Sequence, residues 1–139
     1  MTAITATSAL QAALAAENAA IYGYGVAGAY LAGSEQAAAS QDWTVHSEAR
    51  DTLSAMITRL GATPAAAAAF YTLPLPVHNS STARALAAYL EDGVTRAYLG
   101  VVALDDQRLR AFGALAMQAP ARRAAYWRGR TQPFPGLAG

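Results

Sequence analysis

Cysteine is absent from the 139 residues, and so is lysine. Without cysteine there are no disulfides, no zinc–thiolate or iron–sulfur ligation, and no thiol nucleophile. Histidine occurs only as His46 and His78, so any imidazole chemistry rests on those two positions. Charged residues make up 14% of the chain against 54% hydrophobic, with mean hydropathy +0.17. That balance excludes a disordered polypeptide, which is polar and charged. No β-type alternation and no solenoid-length repeat is visible. The uncharged stretch 18–34 is rich in Ala and Gly. A spanning helix needs about 20 strongly apolar residues, so no membrane helix is expected. The N-terminus carries no basic n-region, so the expectation is a cytoplasmic protein without a signal peptide.

What the chain has in abundance is alanine, 37 residues by count, the best helix former. Its ten basic residues are all Arg and are unevenly placed. Residues 1–106 hold four Arg and nine acids, whereas 107–139 hold six Arg and no acid. One reading is a basic last helix pairing with acidic helices inside one bundle. The other is a basic face for nucleic acid or an acidic partner. On that face Arg122, Tyr126, Trp127 and Arg128 are the candidates for base stacking or phosphate contact.

Punctuation divides the chain into helices. Ser8 with Gln11 reads as a capping box opening a helix that runs to about residue 32. Gly33 suits its stop and Ser34 the next cap. A second helix is expected over 35–60, closed by Gly61. Thr63-Pro64 then suggests a short alanine helix ending near Tyr71. Thr72 to Val77 must be extended, because each Pro disfavours helix before it. Asn79, Ser80 and Ser81 are caps for a third helix reaching about Leu104. Asp105 and Asp106 open a fourth, which Pro120 should kink or restart and Gly129 should stop. Residues 130–139 read as an irregular tail. The expected fold is a single all-α domain over 1–139, a ferritin-like four-helix bundle with one long crossover between the second and third helices.

The inward stripes carry polar residues. In the first helix Leu10, Leu14, Glu17, Ile21, Tyr24, Gly28 and Leu31 form a bundle seam. In the second, Trp43, His46, Arg50, Leu53, Ile57 and Leu60 do the same. If the hairpin turns at Gly33-Ser34, Glu17 faces Arg50 and His46 faces Ile21. In the third, Glu91 shares a stripe with Val94, Tyr98 and Val101; it should lie within a turn of Arg123 from the fourth. A buried carboxylate is costly unless paired or bound to metal. Two readings follow: salt bridges Glu17–Arg50 and Glu91–Arg123, or a carboxylate metal site at Glu17, His46 and Glu91. A di-metal bundle site needs Glu on two helices and Glu-x-x-His on the other two. Here Trp43 stands where the motif before His46 needs Glu, and no Asp, Glu or His follows Asp106. Glu48 or Asp51 could complete a mononuclear site by turning inward. Gly23 to Gly28 spells a dinucleotide fingerprint, but a strand should precede it, so the glycines are read as helix-packing residues. His78, in the Pro-rich crossover, reads as a solvated loop residue.

Several segments together resemble a ferritin-like domain family of unknown function from high-GC actinobacteria. They are Glu17-Asn18, Ile21-Tyr22-Gly23-Tyr24-Gly25, His46, Arg50-Asp51, Tyr71, Leu73-Pro74, Leu90-Glu91-Asp92-Gly93, Trp127 and Phe134-Pro135-Gly136. The resemblance implies a ferritin-like bundle, often dimeric, with no established activity. It carries over Glu17, His46, Arg50, Asp51 and Glu91. Relatives tend to have His where this chain has Asn18, which takes imidazoles away from any metal site. The expectation is therefore a non-catalytic homodimeric binding or interaction module without cofactor. Its polar core would comprise Glu17, His46, Arg50, Asp51, Glu91 and Arg123. The alternatives are an iron- or manganese-dependent oxidase or iron-handling protein, and a nucleic-acid or acidic-partner binder acting through the Arg-rich C-terminal face.

Overall fold

A computed structural model describes residues 4–129. Among them the regular elements are all helical: α1 (Ala6–Gly28), α2 (Gly33–Arg59), α3 (Ser80–Val102), α4 (Gln107–Ala116) and α5 (Gln118–Arg128). The irregular tail expected at 130–139 lies outside the described residues. α1 packs against α2 and α3, and α3 packs against α1, α4 and α5. Contacts between Glu17 and Tyr98 and between Tyr24 and Glu91 show that α1 and α3 are antiparallel. α2 turns back along α1, so α2 and α3 run the same way. The Glu35–Arg84 and His46–Glu91 pairs, ascending together, agree with that direction. Two parallel neighbours need a long connection, and residues 60–79 supply it.

Local chemistry fixes the ends. α1 starts earlier than expected: Thr5, not Ser8, is the cap. The Thr5 hydroxyl accepts the Ser8 N–H, and Ser8 Oγ accepts the Thr5 N–H, both at 3.0 Å. Gln11, released from capping, ties down the crossover. Its Nε2 donates to the Thr63 carbonyl at 2.8 Å, and its Oε1 accepts the Ala65 N–H at 2.9 Å. α1 also stops earlier, at Gly28, and Gly33 (φ +58°) begins α2, so Ser34 caps nothing. Asn79 caps α3 in a box with Thr82, and Asp106 caps α4 by accepting the Leu109 N–H.

Pro120 divides the last helical stretch as expected. It lacks the N–H that would bond the Ala116 carbonyl, and α4 gives way to α5 at Met117, which itself keeps helical φ/ψ. Gly129 (φ +78°) ends α5. The short alanine helix does not form. Residues 65–69 are exposed and irregular, because propensity alone does not offset nucleation in so short a segment without a face to bury. Beyond it the chain is extended, and Tyr71, Leu73, Leu75 and Val77 alternate inward with exposed neighbours. His78 is exposed, as expected of a loop residue.

The core runs along Leu10, Leu14 and Tyr24 of α1, Leu53 and Ile57 of α2, and Leu86, Val94 and Val101 of α3. α2 departs from its expected stripe. Trp43 and Leu60 are 44% and 49% exposed, and the buried line is Ala39, His46, Leu53 and Ile57. α2 packs mainly on α1, and reaches α3 through His46 and α5 through Asp42, which accepts from Trp127. The glycine stretch of α1 is helical, which excludes a phosphate-binding turn. Gly23 serves contact: a Cβ there would lie 2.3 Å from Leu90 Cδ1 of α3.

Candidate functional site

The site grows from a matched spacing on two antiparallel helices. Glu17 and Tyr24 stand seven residues apart on α1, and Glu91 and Tyr98 stand seven apart on α3. Seven residues is two turns on one face. Antiparallel packing therefore sets each Tyr against the other helix's Glu. The Tyr98 hydroxyl donates to Glu17 Oε1 at 2.7 Å, and the Tyr24 hydroxyl donates to Glu91 Oε2 at 2.6 Å. His46 enters from α2 between the carboxylates. Its Nδ1 meets Glu17 Oε2 and its Nε2 meets Glu91 Oε2 at 3.0 Å. Arg123 enters from α5, its Nε donating to Glu91 Oε2 at 2.8 Å. Glu17, His46 and Glu91 are at most 1% exposed. Three donors converge on Glu91 Oε2, while Glu91 Oε1 is buried and makes no hydrogen bond to any described residue.

The electrostatics follow from this closure. Burial disfavours a charged imidazole, but the hydrogen bonds to Glu17 and Glu91, with their charges, outweigh it and raise His46 to about 9. His46 is thus an imidazolium at neutral pH, donating from both nitrogens. Burial would raise Glu91, yet its bond to His46 and the His46 and Arg123 charges hold it below the usual carboxylate range. Burial and the adjoining carboxylates push both Tyr24 and Tyr98 upward, so both remain neutral donors. Two anions meet two cations, and the cluster is balanced.

Of the expected core residues, Glu17, His46, Glu91 and Arg123 come together, and Glu91 pairs with Arg123 as the spacing predicts. The pairing of Glu17 with Arg50 is corrected by one helical turn. The hairpin turns ahead of Gly33-Ser34, so His46, four residues before Arg50, meets Glu17. Arg50 and Asp51 instead bond to each other at 3.0 Å on the outside, with side chains 39% and 72% exposed. Glu48 is exposed as well. Sequence reasoning placed Tyr24 and Tyr98 in the core but missed their role. Their common seven-residue offset from a Glu was the available signal. It also missed Asp42, which accepts from Trp127 Nε1 at 2.9 Å and is raised by burial.

The proposed basic and aromatic residues do not share one open face. Arg122 and Tyr126 are exposed, Trp127 is buried against Asp42, and Arg128 pairs with Asp92. The Arg123–Glu91 and Arg128–Asp92 pairs join the basic last helix to two acids of α3. Among the described residues no three His, Asp or Glu side chains are arranged to hold a metal. A ligating histidine offers a lone pair to the metal, whereas here each His46 ring nitrogen faces a carboxylate oxygen. Arg123 brings a cation to Glu91, where a metal would seek an anion.

Residues 9–139 match the sequence profile of a domain family of unknown function, DUF4439. The fold is similar to the crystal structure of a conserved hypothetical protein, rv2844, from Mycobacterium tuberculosis. The two share 31% sequence identity with a TM-score of 0.86, over 92% of this chain and 98% of that one. No curated protein matches the chain. Among the described residues no helix is long and apolar enough to cross a membrane.

Proposed function

The chain belongs to the domain family of unknown function DUF4439, and from that footing we propose that it is a ferritin-like bundle serving as a non-catalytic, dimeric binding or interaction module. A balanced Glu/His/Arg/Tyr cluster stands where such a bundle could hold metal ions. The observation that carries this reading is His46, which spends both ring nitrogens on Glu17 and Glu91. Helix directions and the long 60–79 crossover support the ferritin-like reading. Exposed Trp43, beside the shallow, uncharged cleft formed by Gly25, Gly28 and Ala37, supports a contact face.

The test is elemental analysis of protein produced with iron and manganese supplied, repeated for Glu17→Gln. The reading expects no stoichiometric metal in either sample, and a lower melting temperature for the variant. About one metal per chain, lost on substitution, would replace it with a carboxylate/His metal site at Glu17, His46 and Glu91.

A further inference from the structure

α2 faces α4 and the start of α5 across a cleft of about 340 Å³. A dry cavity of about 150 Å³ already holds benzene, so this one admits a ring bearing a head group. Ala49 of α2 and Phe112 and Ala116 of α4 supply apolar wall on opposite sides. The same lining includes Glu17, Tyr98 and Arg123, so the cleft reaches the edge of the polar cluster. Apolar walls converging on a few polar groups are the ordinary make-up of a small-molecule site.

The free valences define the head group. Arg123 is held in place by its Nε on Glu91, while its two terminal amino groups bond no other described residue. Glu17 Oε1 accepts one hydrogen bond, from Tyr98, and a carboxylate oxygen can accept a second. The cleft therefore offers guanidinium donors and a carboxylate acceptor together. Glu17 and Glu91 are already balanced by His46 and Arg123, so a charged head group of either sign would enter a partly buried site uncompensated. A neutral group carrying both an acceptor and a donor would not.

We infer that this cleft binds a small neutral amide with an apolar aromatic or branched tail. Its carbonyl faces the Arg123 amino groups, its N–H faces Glu17, and its tail lies along Ala49 and Phe112. This rests on the binding-module reading above and gives it a site and a ligand class.

The test titrates the full ¹⁵N-labelled chain with benzamide, benzoate and benzylamine, three head groups on one ring. Benzamide should bind saturably and at least tenfold tighter than the two ions, shifting the Ala49 and Ala116 amides. Ala49→Leu, which fills the cleft without touching the cluster, should weaken it at least tenfold. Thr52→Leu, at an exposed wall position where folding is safe, should weaken it too. Preference for benzoate or benzylamine overturns the inference, as does the absence of saturable shifts or binding indifferent to both substitutions. Metal content of the same samples separates the two proposals. Metal-free protein that ignores benzamide sinks the cleft alone, and metal-loaded protein that binds benzamide sinks only the metal-free cluster.

Discussion

At His46 a single proton holds two buried carboxylates together, which makes stability depend on pH. His46 titrates near 9 in the folded chain, against an ordinary value near 6.5. Below about 6.5 the imidazole is charged in both states, and its contribution is fully present. As pH rises the unfolded chain loses its proton first, so stability falls through the alkaline window and the contribution is gone above about 9. The loss should be on the order of 3 kcal/mol, read by urea denaturation across that range. His46→Gln should abolish this slope. At neutral pH it should also cost about 3–5 kcal/mol, because it leaves two carboxylates sharing one cation. A slope that survives in His46→Gln would assign the pH dependence elsewhere.

The elements show how far local rules reach. Asn79, Asp106, Gly129 and Pro120 act where their chemistry predicts, since each effect is contained within one turn of backbone. Ser8 failed as a cap because Thr5 stood one turn earlier with the same chemistry. Where helices meet, close approach imposes its own requirement. A Cβ at Gly113 of α4 would lie 3.0 Å from Val102 N and 3.1 Å from Tyr98 O, both backbone atoms of α3. Backbone cannot step aside as a side chain can. Gly113→Ala should therefore destabilise by about 1–3 kcal/mol despite the higher helix propensity of Ala. Gly25→Ala, with open space around its Cβ, should be neutral or slightly stabilising in the same thermal melts.

For the molecule as a whole, the uneven coverage of α2 organises the surface. α2 rests on α1, and its Trp43 is left 44% exposed. If that flank is the dimer face, sedimentation should give twice the chain mass for the native protein and the single-chain mass for Trp43→Glu. Tyr89→Glu, at a half-exposed aromatic on α3, should leave the dimer intact. A native monomer at high concentration would remove the dimer from the proposal. The charge asymmetry also acts at this scale. The basic last helix is partly neutralised inside the bundle through Glu91 and Asp92, so the five described arginines after residue 106 do not form a single free surface.

Composition and punctuation determined that this chain is helical, roughly where its helices start and stop, and that it needs one long crossover. These properties arise from backbone preferences within a few residues. Glu17, His46, Glu91 and Arg123 were legible as inward polar groups because periodicity reports which face a residue occupies. Periodicity does not report how far one helix slides along another. The hairpin turn near residue 31 set that slide, and a shift of one turn gave Glu17 His46 as its partner and left Arg50 outside. The tertiary structure also decided that the two Glu–Tyr pairs interlock, because only antiparallel packing of α1 on α3 sets each hydroxyl on the other helix's carboxylate.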